Sequence, residues 1–265
     1  MTDELESGRM PLLEHLIELR RRLIYSFIGL AITWGVCYYF GEQILEFLIR
    51  PLARELAPTG GHMQYTALTE AFVTRIKVSF FTACFVAFPL LASQVWMFVA
   101  PGLYKHERNA FLPYLIATPI LFFMGGALVY YMIFPPAWHF FLSFQVAGTD
   151  GNLPIEADPK ISEYLTLSMT LIFAFGLAFQ MPVALTLMAR VGIISSAFLV
   201  AQRRYAIVLN FVLAALVTPP DAISMAGLAV PLCLLYEISI WSCRLVERQR
   251  ARREAEEARE LTTPD

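Results

Sequence analysis

Apolar residues fill four stretches of the chain, 23–40, 71–100, 111–134 and 164–189, with Arg75 and Lys77 the only charges inside them. A helix rises about 1.5 Å per residue, so roughly 20 residues cross a hydrocarbon layer about 30 Å thick, and each stretch predicts a membrane span. Beyond Arg203 and Arg204 the pattern shortens. Residues 205–217 offer thirteen positions before the breaker Thr218-Pro219-Pro220-Asp221, and 222–243 is interrupted by Pro231 and Glu237. These predict a fifth and a sixth span, both short, and thirteen residues reach only about 20 Å, so this side of the protein is expected to thin the lipid around it.

Proline recurs inside the later spans, as Pro89, Pro119 beside Gly125-Gly126, Pro182 and Pro231. Each removes a backbone donor and bends its helix. The expected fold is therefore all-α: a polytopic membrane protein of six helices in a cupped bundle. The segments between spans at 41–70 and 141–162 are rich in turn residues and read as ordered caps or mobile covers. Residues 1–243 form the membrane domain, and the tail 244–265, alternating Arg and Glu, reads as an exposed helix running into disorder.

Composition sharpens this reading. The 265 residues are 57% apolar and 16% charged, with a mean hydropathy of +0.58, against about 45–50% apolar in soluble domains, which excludes a soluble single domain. A net charge of -2 supplies no basic field for nucleic acid. Cys37, Cys84, Cys233 and Cys243 all lie in apolar runs without CxxC spacing, so neither a disulfide framework nor a zinc site is expected. Charge also gives orientation. With both termini inside, fifteen Lys and Arg fall on the cytoplasmic side and only Arg50, Arg54 and Lys160 on the other. The triplet Arg20-Arg21-Arg22 before an apolar run imitates an export signal, but Trp34, Tyr38, Tyr39 and Phe40 mark a membrane interface at its far end and no small-x-small site follows, so a retained helix is expected.

Few polar groups carry chemistry. Residues 11–22 place Leu12, Leu16 and Leu19 on one helical stripe, continued by Leu23, and Glu14, Glu18 and Arg22 on another, an interfacial amphipathic helix leading into the first span. Glu18 reaches Arg21 at i+3 and Arg22 at i+4, so spacing alone allows a plain surface ion pair. After the second span, Phe98, Pro101, Leu103 and Tyr104 surround a tight turn in which Glu107 stands between His106 and Arg108. Gln180 and Glu237 lie at membrane depth; a carboxylate about midway along the last apolar run must be protonated, paired or turned into a wet cavity. HExxH fails at Ala110, the other histidines are scattered, and no nucleophile turn or phosphate loop occurs, which leaves an enzyme reading nothing to rest on.

Four segments stand in order within residues 11–224: PLLEHLIELRRRL, QVWMFVAPGLYKHER, FAFGLAFQMPVAL and RRYAIVLNFVLAALVTPPDAIS. Together they resemble the TatC family, the multi-spanning core subunit of the twin-arginine protein translocase. The resemblance implies recognition of signal peptides bearing two consecutive arginines on folded cargo, and export driven by the proton-motive force with TatA and TatB. It further implies several copies of the chain in one complex, a place in the bacterial cytoplasmic membrane, and no cofactor. It assigns signal binding to Glu18 and Glu107, with Arg20, Phe98, Pro101, Leu103 and Tyr104 shaping the site. Gln180, Thr218 and Glu237 match polar, partner-facing positions, and Pro51 and Asp221 match loop positions. Many members carry Glu where this chain has Gln180, so hydrogen bonding to a partner helix is expected there rather than protonation. The residues alone also allow a secondary transporter or channel for small solutes, from the broken helices and Glu237.

Overall fold

The computed structural model describes residues 12–99, 108–145, 158–217 and 222–260, nearly all of them helical. The helices are α1 (Leu12–Tyr39), α2 (Gly41–Leu56), α3 (Glu70–Val86), α4 (Phe88–Val99), α5 (Arg108–Leu128), α6 (Phe134–Leu142), α7 (Ile161–Ala178), α8 (Met181–Val191), α9 (Ser196–Ala201), α10 (Arg203–Val217) and α11 (Ala222–Glu260). Among the described residues the sole β feature is an isolated bridge between Gln64 and Lys160. Three segments are long and apolar enough to cross a membrane: Pro113–Leu142, Ile161–Val191 and Met225–Arg252. Two bent pairs, α1 with α2 and α3 with α4, bring the total to five if each is one span. At 15 residues, α10 remains short, as expected for the fifth span, whereas the sixth belongs to a helix of 39 residues that carries the charged tail on to Glu260.

Packing divides the chain into two compact units: Met1–Ile49, Gln64–Pro119 and Lys160–Leu165 in one, and Arg50–Met63, Ile120–Pro159 and Thr166–Asp265 in the other. In the first, α1 runs 28 residues without a break, joining the amphipathic segment to the span. The chain then turns by 76° into α2. Gly41 makes the corner: a Cβ there would stand 3.2 Å from Arg75 Nε and 3.3 Å from Ser79 Oγ of α3. Arg75 seals the corner, donating to Glu42 Oε1 at 3.3 Å and lying 5.3 Å over the Tyr38 ring. The 51° bend between α3 and α4 falls where Pro89 lacks the N–H that a continuous helix would need.

Much of the expected first outer cap is thus a helix. In α2, Leu48, Leu52 and Leu56 are buried one turn apart, while Glu46, Arg50 and Arg54 are exposed. Pro51, expected in a loop, lies inside α2 and is buried. Glu70, the last residue before the apolar run, closes the remaining segment. Its carboxylate accepts from Thr66 N at 2.6 Å, Thr66 Oγ1 at 3.0 Å, Ala67 N at 3.1 Å and Ser162 Oγ of α7. These donors, Ser162 foremost, hold its pKa down to about 2.

In the second unit α5 and α7 approach through glycine. A Cβ on Gly125 would meet Phe175 O at 2.6 Å, and one on Gly176 would meet the Phe122 ring at 2.7 Å. A π-helical turn, Val129–Ile133, then joins α5 to α6. Pro135 and Pro136 follow it, lack amide donors, and would crowd the carbonyls of a regular preceding turn, so the ladder widens, with Phe134 N–H donating to Val129 O. Around α8, α9 and α11, Ala189, Leu199, Tyr236, Ile240 and Cys243 form a buried cluster in which Tyr236 OH donates to Leu199 O at 2.8 Å.

Two outcomes follow. Gly125→Ala forces apart two backbones with no flexible neighbour to yield, and should lower stability by about 1–3 kcal/mol in detergent unfolding. Because the Glu70 carboxyl is held below its ordinary 4.5, its contribution is complete above that value and is lost as pH falls towards about 2. Unfolding of Glu70→Gln should therefore lack the part of the pH dependence that the native chain shows between 4.5 and 2.

Candidate functional site

The amino-terminal turns of α1 and the carboxy-terminal end of α4 meet in the first unit, and they carry part of the site that the sequence suggests. One turn apart on α1, Glu18 and Arg22 share a face; Arg22 Nη2 donates to Glu18 Oε1 at 3.3 Å. The side chains are 18% and 26% exposed, so the carboxylate is sheltered but open on one side. Of the two partners that spacing allowed, Arg21 turns away, donating to Tyr25 OH at 3.3 Å and lying 5.6 Å over its ring. Arg22 reaches across to α4, with Nη1 at 3.5 Å from Met97 Sδ. His15 stacks on Phe98 with ring centroids 4.3 Å apart, which fastens the first turn of α1 to the end of α4. Arg20 is exposed.

The structure thus brings Glu18 and Phe98 to one place. Glu107, Pro101, Leu103 and Tyr104 lie outside the described residues, as do Thr218 and Asp221. Sequence reasoning passed over His15, Gln94 and Met97, and left Arg22 as one of two partners open to Glu18. Gln94 opens the turn motif that carried the resemblance, and its Oε1 is buried without a hydrogen-bond partner one helical turn before Met97 and Phe98. Arg22 Nε is likewise buried without a partner. Buried, unmet donors and acceptors are costly, so their presence together marks a place where polar groups can be exchanged.

The two intramembrane candidates are placed differently. Gln180 stands in the break between α7 and α8, where its own N–H bonds to Leu177 O at 2.9 Å and its side chain bends back towards Gly176 O at 3.5 Å. That geometry serves a carbonyl which the break has released from the helix ladder. Glu237, expected about midway through the hydrocarbon, pairs with Arg203 at 2.7 Å, and the side chains are 50% and 43% exposed. Arg203 is the first residue of α10, so the carboxylate sits level with that helix end. Of the three states open to it, the structure selects pairing.

A further groove of about 460 Å³ runs between the α8–α9 connection and α11, walled by Ile193, Phe198 and Val246. Glu247 beside it accepts from Ser196 N at 2.7 Å and from Ser196 Oγ. Among the described residues no group of His, Cys, Asp and Glu is arranged to hold a metal ion. What the α1–α4 site offers chemically is a carboxylate matched to a guanidinium, with donors and acceptors to spare.

Residues 14–231 match the family described as Sec-independent protein translocase protein (TatC). The TatC protein of Magnetococcus marinus is 53% identical over 249 residues, covering 94% of this chain and 89% of that one. The Rickettsia prowazekii TatC protein is 44% identical over 89% of this chain and 94% of its own, and that of Escherichia coli K12 is 37% identical over 88% of each. A crystal structure described as the twin arginine translocase receptor TatC superposes with a TM-score of 0.74 at 34% identity, covering 88% of this chain and 99% of that one.

The Arg203–Glu237 pair yields a measurable coupling. Arg203→Gln and Glu237→Gln should each lower stability, and the double variant should do no worse than the more damaging single change; a double-mutant cycle of detergent unfolding should return about 1 kcal/mol.

Proposed function

Because this chain belongs to the TatC family of Sec-independent protein translocase proteins, we propose that it is the receptor and core scaffold of a twin-arginine translocase. It is a multi-pass protein of the bacterial inner membrane, and its family's work is protein transport rather than catalysis. Glu18 and Glu107 capture the two arginines of a signal peptide. Arg20, Phe98, Pro101, Leu103 and Tyr104 shape the pocket around them. Single-span partners, TatA and TatB, dock on the side that carries Gln180, Thr218 and Glu237, while Pro51 and Asp221 hold the connecting segments. Several copies assemble, and the proton-motive force drives export of folded cargo. Residues 1–243 act as one membrane module with both ends on the cytoplasmic side, and 244–265 as its tail.

The observation that carries this reading is the state of Glu18: a sheltered carboxylate towards the amino-terminal end of α1, already in contact with a guanidinium. Guanidinium presents a planar fork that matches both carboxylate oxygens, whereas an ammonium makes a point contact. Two neighbouring arginines call for two anions, and Glu107 is the second. The solute-transporter reading finds less support, since it needs an ionisable group at mid-depth and Glu237 is held by Arg203 at the end of α10.

The test is binding of a fluorescent twin-arginine signal peptide to the full chain in lipid nanodiscs. Glu107→Gln should weaken binding by about 10- to 100-fold, the worth of a charge-assisted bidentate contact, while leaving membrane insertion intact. Replacing the arginine pair of the peptide by two lysines should weaken binding to the native chain by about 10-fold or more. Equal binding in either experiment would refute the corresponding part of the reading.

A further inference from the structure

The acid that receives the signal is not empty. Arg22 Nη2 contacts one oxygen of Glu18 at 3.3 Å, longer than the roughly 2.7–2.9 Å of a well-formed charge-assisted bond. Among the described residues Nη1 meets only the weak acceptor Met97 Sδ, and Nε is buried with no partner. A guanidinium has five donors in a rigid fork, and here one helical turn of spacing holds it to one oxygen of a carboxylate it does not grip with both prongs. On α4 the Oε1 of Gln94 is a buried acceptor without a donor, one turn before the methionine that Arg22 touches.

Taking Glu18 as the receptor carboxylate, a premise shared with the function proposed above, we propose that Arg22 is the site's internal competitor: it occupies Glu18 in the unliganded receptor and is displaced by an arginine of the signal. An incoming arginine can close on both oxygens of Glu18, which Arg22 does not do, and so gains by the exchange. A lysine replaces one single-point contact with another and gains nothing. Arg22 therefore shields the acid between cargoes and penalises either signal equally, while the preference for arginine comes from the two-pronged contact in the bound state. Once released, its guanidinium has an acceptor on α4 in Gln94 Oε1, so displacement does not strand a charge among apolar groups.

The experiment compares twin-arginine and twin-lysine signal peptides binding to the full chain in nanodiscs. Arg22→Gln, which removes the charge and keeps a polar side chain, should tighten twin-arginine binding by about 3- to 10-fold and twin-lysine binding by the same factor, because both peptides displace the same competitor. Unchanged or weaker twin-arginine binding would overturn the role of Arg22. Glu18→Gln in the same assay separates this claim from its premise: native-like binding by that variant would remove Glu18 from the receptor reading, whereas weakened binding leaves the premise standing and the Arg22 result decisive. Should Arg22→Gln fail to yield monodisperse protein, Arg22→Lys keeps the charge but loses the fork, and should still tighten twin-arginine binding by about 2-fold, with no tightening counting against the proposal.

Discussion

Moving a charge from water into hydrocarbon is costly, and that cost arranges this molecule. Among the described residues three arginine–glutamate pairs answer it: Glu18 with Arg22 towards the amino-terminal end of α1, Arg75 with Glu42 at the corner between α1 and α2, and Arg203 at the start of α10 with Glu237 of α11. A carboxylate sheltered yet open on one side, as Glu18 is, favours a guanidinium over a solvated cation.

Of the six spans expected, three were legible as helices long and apolar enough to cross a membrane, and two more as bent pairs. Uninterrupted apolar runs have one physical use in a chain of this composition, and Pro89 marked the bend between α3 and α4. What the runs hid was α2. Segment 41–70 was read as a cap or cover rich in turn residues, with Pro51 at a loop position, although Leu48, Leu52 and Leu56 recur with helical period and are buried. Breakers mislead at a membrane surface, where a helix can begin on a glycine that lets another helix approach. The continuity of α11 into its charged tail was likewise half visible: alternating Arg and Glu suggested helix, and the structure carries it to Glu260.

The site was legible in another way. Spacing placed Glu18 near two arginines but could not choose between them, and only the ordered motifs pointed to signal binding. The choice of Arg22 depends on α4, which supplies Met97 to one side of the guanidinium and leaves Tyr25 to hold Arg21. Gln94 was inside a quoted motif and still passed unnoticed, because an unmet acceptor is a property of packing. The partner of Glu237 was invisible for the same reason: α10 brings Arg203 to meet it.

A photoreactive residue placed beside the arginine pair of a signal peptide, bound to the full chain in nanodiscs and followed by mass-spectrometric mapping of the adducts, tests the central claim most directly. Adducts should concentrate on residues 14–22 and 94–108. Adducts confined to the α8–α9 connection or to the tail of α11, with none on the first turns of α1, would contradict the account.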